Sequence, residues 1–160
     1  MDLFAVIQDE NRLDSVRYVA DDAESISKYA ATFIRRLAGV FSNTHLQERW
    51  RTEFHVGDDG VSVIITSPFG RATGALSLVI ADENYHTEGR WVIRKDLRDD
   101  NGASVAIKVA SLRVLKTGHI FLGPTQLHAL TAANRIFGDA EDETAYKVAL
   151  AILHSIGRTE

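Results

Sequence analysis

The chain contains no cysteine. That absence excludes a disulfide framework, a thiolate zinc site and a cysteine nucleophile, and it fits a reducing, cytoplasmic setting. No apolar run approaches the roughly 20 residues that a membrane helix needs. The opening Met1-Asp2-Leu3-Phe4 lacks the basic start of a secretory signal. Net positive charge is also missing. A formal charge of −4 argues against general nucleic-acid binding, which rests on cationic surface, although a local basic face fits within an acidic total. There is no Gly-x-Ser-x-Gly elbow and no His-Glu-x-x-His helix. Ser67-Pro68-Phe69-Gly70-Arg71-Ala72-Thr73-Gly74 has the glycines and cation of a phosphate loop, but no helix follows it, so it reads as a hairpin. The sequence carries no catalytic signature and calls for no cofactor and no bound metal.

What is present is a soluble α+β pattern. At 160 residues a single domain over 1–160 is the natural reading. A chain of this size buries roughly 70% of its unfolded surface and needs no staple to fold. No internal repeat, low-complexity segment or linker divides it.

The stretch from Thr52 to Gly123 alternates as strands do, because side chains change face at every residue. Phe54 and Val56, then Val61, Val63 and Ile65, then Leu76, Leu78 and Ile80, then Trp91, Ile93 and Leu97 fall on apolar sides. Gly57-Asp58-Asp59-Gly60 and Asn101-Gly102 supply hairpin turns. In Ala103–Leu115 the rhythm changes phase around Ala110-Ser111. Val105, Ile107 and Val109 alternate in one phase, Leu112 and Val114 in the other, which predicts a bulge or bend. Strands joined by short turns imply a single antiparallel meander sheet of about six strands.

Helical sequence flanks the sheet. Asp2–Leu13 reads as a short helix and Ser15–Ala20 as an extended segment. Asp21 and Glu24 resemble a capping box for a long helix running to Phe41, whose stripe is Ile26, Ala30, Phe33, Leu37 and Val40. Asn43 is placed to cap a second helix over Thr44–Trp50. After the sheet, Gly123-Pro124 is expected to open a helix over Thr125–Phe137. A last helix follows, with Ala145, Val148, Ala149, Ile152 and Ile156 facing inward. The long N-terminal helix and two C-terminal helices are expected to cover one sheet face. This order is similar to helix-grip and cystatin-like architectures, an analogy of fold that does not fix function.

Two places offer chemistry. Arg71, Arg90, Arg94 and Lys108, with His55, lie on the wetter face and form a binding patch if their strands adjoin. The loop Asp82–Gly89 offers Asp82, His86 and Glu88, residue types that hold divalent metals or share acid–base work. His55 beside Asp58 and Asp59 could be an oriented base, although a solvent-facing histidine near an acidic turn is the plainer reading. The expected function is a non-catalytic binding or adaptor protein recognising a protein partner, a homodimer being one form of this. Exposed sheet edges support it, since they invite strand pairing. The alternatives are a small apolar-ligand carrier with a cavity between sheet and helix, and a metal-dependent hydrolase using the 82–88 loop.

Overall fold

The structure is a computed structural model that describes residues 2–81, 86–122, 125–131 and 139–159. Two short helices come first, α1 (Leu3–Gln8) and α2 (Glu10–Arg17), then the long α3 (Val19–Phe41) and the short α4 (Thr44–Trp50). Seven strands follow: β1 (Glu53–Val56), β2 (Val63–Ser67), β3 (Gly70–Ile80), β4 (Thr87–Arg98), β5 (Ser104–Leu115), β6 (His119–Leu122) and β7 (Thr125–Thr131). Helix α5 (Asp139–Arg158) comes last. The strands lie in chain order in one sheet, every neighbouring pair antiparallel. This is the expected α+β meander, with α3 and α5 against one face.

Register decides which side chains share that face, because directly paired residues point to the same side. Phe54 pairs with Ile65, Ile65 with Ala72, Val63 with Gly74 and Gly74 with Ile93. Leu76 pairs with Trp91, and Trp91 with Leu112. Helix α3 covers this inner face with Ile26, Ala30, Phe33, Ile34 and Leu37, all buried at helical spacing. Trp91 sits at the centre. Its ring meets Phe33 edge-on at 6.4 Å, and its indole N–H donates to the Val61 carbonyl at 2.9 Å. The bulky ring is thus buried with its one polar atom satisfied. Leu78 and Ile80 share the face but are 42% and 43% exposed, because β3 runs on past the last residue it pairs with β2, Gly74.

One inner-face residue is charged. Lys95 pairs with Ala72 in the register, is buried, and donates its ammonium to the carbonyls of Ile156 at 2.9 Å and Thr159 at 2.6 Å. Those are carbonyls of the last turn of α5 and just beyond it, which have no acceptor role within the helix and carry its negative dipole end. Lys95 therefore ties the end of α5 to the sheet.

The phase change in β5 is a bulge, as expected. Ile93 pairs with Ala110 and Arg94 with Lys108, so Val109 has no opposite number. The extra residue returns Ile107 and Val105, which pair with Lys95 and Leu97, to the same face as Leu112 and Val114.

Three expectations need correction. Thr125–Thr131 is strand β7, with Leu122 pairing directly with Thr125, where a helix was expected; the free edge of β6 captures the segment and overrides its helical spacing. Residues 132–137, the rest of that expected helix, lie outside the described residues. The segment Ser15–Ala20 is helical, split between α2 and α3, since neither glycine nor proline interrupts it. Helix α3 accordingly starts at Val19, and Asp21 and Asp22 occupy its first turn instead of capping it. Asn43 caps α4 as expected, accepting from the amides of His45 and Leu46.

Close approach of α3 requires glycine at 89. A Cβ there would lie 2.5 Å from Cγ2 of Ile26 and 3.0 Å from Cδ1 of Leu76. Gly89→Ala should destabilise the fold by about 1–3 kcal/mol through overpacking. Urea denaturation measures this, and an unchanged midpoint would contradict the stated contact.

Candidate functional site

The outer face gathers the cations expected there. His55 pairs with Ile64, Ile64 with Thr73, Thr73 with Arg94 and Arg94 with Lys108, a single row crossing β1 to β5. His55, at one end, is 3.2 Å from Glu53. Arg71 lies on the same face, 3.8 Å from Asp96. Arg90 pairs with Arg113, a cation that the sequence reading did not single out.

Glu88 explains that second pair. It belongs to β4, not to a loop, and is 2% exposed on the outer face. Its carboxylate accepts from Arg113 at 2.8 Å and from Arg90 at 3.3 Å. The Arg113 guanidinium also stands 5.1 Å from the centre of the Phe121 ring, a cation–π contact that helps hold it over the carboxylate. Two half-exposed guanidiniums shield one buried carboxylate, so the cluster is compensated. The signal for it was available: Glu88 and Arg90 are two apart in a strand and so share a face.

Of the expected loop site, Glu88 lies in β4. Asp82 lies outside the described residues, and His86 is exposed ahead of β4. Among the described residues no group of three or more metal-ligating side chains comes together. Asp59 is not directed at His55. It accepts from the Ser62 hydroxyl and from the amides of Ser62 and Val61, which hold its carboxyl below the usual carboxylate range and set the β1–β2 turn.

The inner face holds a feature of a different kind. A cavity of about 440 Å3 opens between the β5 bulge and α5. Ile93, Val109, Leu112 and Leu122 face Val148 and Ile152 across it, with Ser155 on the helix side, and Lys108 and Ser111, whose side chains take the outer face, border it along β5. Small residues border the space: Ala110 on β5, and Ala151 and Ser155 one helical turn apart on α5. The volume falls within the roughly 300–1,000 Å3 of small-molecule sites.

Beside this cavity the described part of the sheet is open. Among the described residues, β5 pairs with β6 only over Leu112–Val114. Residues 104–110 have β4 on one side and no described strand on the other. Val105 and Ile107, in this stretch, are 41% and 39% exposed. Outward-pointing amides and carbonyls here lie next to an apolar groove walled by a helix.

The fold and this geometry define an antiparallel α+β meander with a groove beside a strand edge that no described strand pairs. Comparison with known protein families, curated proteins and solved structures finds no match to the chain. Among the described residues no helix is long and apolar enough to cross a membrane.

Glu88→Gln should cost about 2–3 kcal/mol, because two guanidiniums then surround a neutral, buried amide. Chemical denaturation of the variant reads the loss. A change below about 0.5 kcal/mol would mean that the carboxylate is not the group that compensates Arg90 and Arg113.

Proposed function

We propose that the protein is a non-catalytic binding protein that takes an extended segment of a protein partner along the open half of β5. One observation carries the reading: the edge of residues 104–110, which no described strand pairs, and the apolar cavity at Lys108–Leu112 overlap at Lys108–Ala110 of one strand. Strand addition uses this combination. The edge supplies main-chain hydrogen bonds, and a pocket between strand and helix takes alternate side chains. Free edges are otherwise a liability that folds cover or charge.

The N-terminal helices support a partnership as well. Leu3, Phe4 and Ile7 of α1 are 73%, 65% and 65% exposed, and Val16, Tyr18 and Val19 are exposed beyond them. Apolar side chains exposed at this density mark interaction surfaces. A second copy of the chain is one partner that this surface would serve. The absence of cysteine fits a reducing, cytoplasmic setting for this activity.

A second reading is favoured by the cavity alone. A small apolar ligand would occupy the same space without using the strand edge. The two separate on one requirement, the ligand's backbone amides.

Selection of a random-peptide library on the immobilised protein tests the proposal. Enriched peptides should lose roughly tenfold or more in affinity for the Ala151→Trp variant, whose indole fills the groove. They should lose binding again when alternate peptide amides are N-methylated. If the library yields no binder while a hydrophobic fluorophore binds and is excluded by Ala151→Trp, the carrier reading replaces strand addition. Enriched peptides indifferent to both changes would overturn it too.

A further inference from the structure

The outer face contains two like-charged pairs on the same β4–β5 ladder, and only one is compensated. Arg90 opposite Arg113 shares the buried Glu88 carboxylate. Arg94 opposite Lys108 has no ion pair and no hydrogen bond among the described residues. Both side chains are exposed, and Asp96, the acidic residue two places along β4, is the partner of Arg71. Cations directly opposite one another destabilise a sheet unless an anion joins them. Their uncompensated charge stands out in a chain whose net charge is −4.

The location of this pair matters as much as its sign. Lys108 lies at the end of the open half of β5 and also lines the groove. A strand added to that edge would put successive side chains on opposite faces. Residues opposite Val105 and Ile107 would face inward, toward the apolar side. The residue opposite Lys108 would face outward, next to Lys108 and one strand away from Arg94.

We infer that the partner segment alternates apolar and acidic residues, its apolar side chains entering the α5 groove and a carboxylate meeting Lys108 and Arg94. The inference rests on strand addition to β5 and names the chemistry of the segment that this edge selects. The Arg94–Lys108 pair is its charge-reading element, and the groove is its apolar anchor. The added carboxylate would stand to this pair as Glu88 stands to Arg90 and Arg113.

Three synthetic peptides test this: an alternating Val–Glu pentapeptide core with Ser-Gly flanks, and its Val–Gln and Val–Lys counterparts. Fluorescence anisotropy gives their affinities for the full chain at low and high salt. The Glu peptide should bind about fivefold to tenfold more tightly than the Gln peptide, with the Lys peptide weakest and the spread narrowing in salt. The Arg94→Gln, Lys108→Gln double variant should bind Glu and Gln peptides equally, and Lys108→Glu should reverse the order toward the Lys peptide. Equal binding of Glu and Gln peptides by the unaltered protein would overturn the charge assignment and leave strand addition standing. A Glu preference that persists in the double variant would also overturn it. Binding of none of the three, while peptides selected from a random library do bind at β5, would reject the alternating segment. Binding of no peptide by any route would remove strand addition and this inference together.

Discussion

A single extra residue in β5 governs the arrangement of this protein. Side chains alternate with a period of two, so Val105 and Ile107 would face away from Leu112 and Val114 in an unbroken strand. The bulge at Val109 brings both sets to the inner face. It also bends the strand beside Ala110, which lines the groove with the small residues of α5. The same irregularity sets Lys108 opposite Arg94 on the outer face. Core, groove and cation pair thus share one local cause.

The surroundings of the bulge are held firmly on both sides. Trp91, one strand away, is locked by the Phe33 contact and the hydrogen bond to Val61, so the β4 side of the ladder is rigid. Lys95 binds the last carbonyls of α5, which fixes the helix that forms the other wall of the groove. A groove with rigid walls loses little freedom when it is filled, and preorganisation of this kind favours binding. By contrast residues 104–110 of β5 are held, among the described residues, from one side only.

The sequence foretold much of this and missed the rest for identifiable reasons. The bulge was legible because the apolar phase in Ala103–Leu115 changes in a single strand, without any reference to partners. The cationic row was legible as alternation, since Arg90 and Arg94 keep the polar phase against Trp91 and Ile93. Its compensation was not, because Glu88 was assigned to a polar loop when β4 in fact begins at Thr87. Lys95 was overlooked although it keeps the phase of Trp91 and Ile93; its partners are backbone carbonyls of α5, 61 and 64 residues away. Strand β7 was misread because Gly123-Pro124 and the spacing of Leu127 and Leu130 suit a helix, while its actual structure depends on the edge of β6. A cavity between sheet and helix is among the expectations of the sequence, since the phase change at Ala110-Ser111 marks a bend, but its lining is not, because it requires residues of β5 and α5 to meet in space.

Residue-resolved amide hydrogen exchange of β5 in the unliganded protein tests the account most directly. Alternate amides between Ser104 and Ala110, those pointing away from β4, should exchange rapidly, while those of Leu112–Val114 resist exchange. Uniformly slow exchange along the whole of β5 would show that its edge is already covered, and would contradict the account.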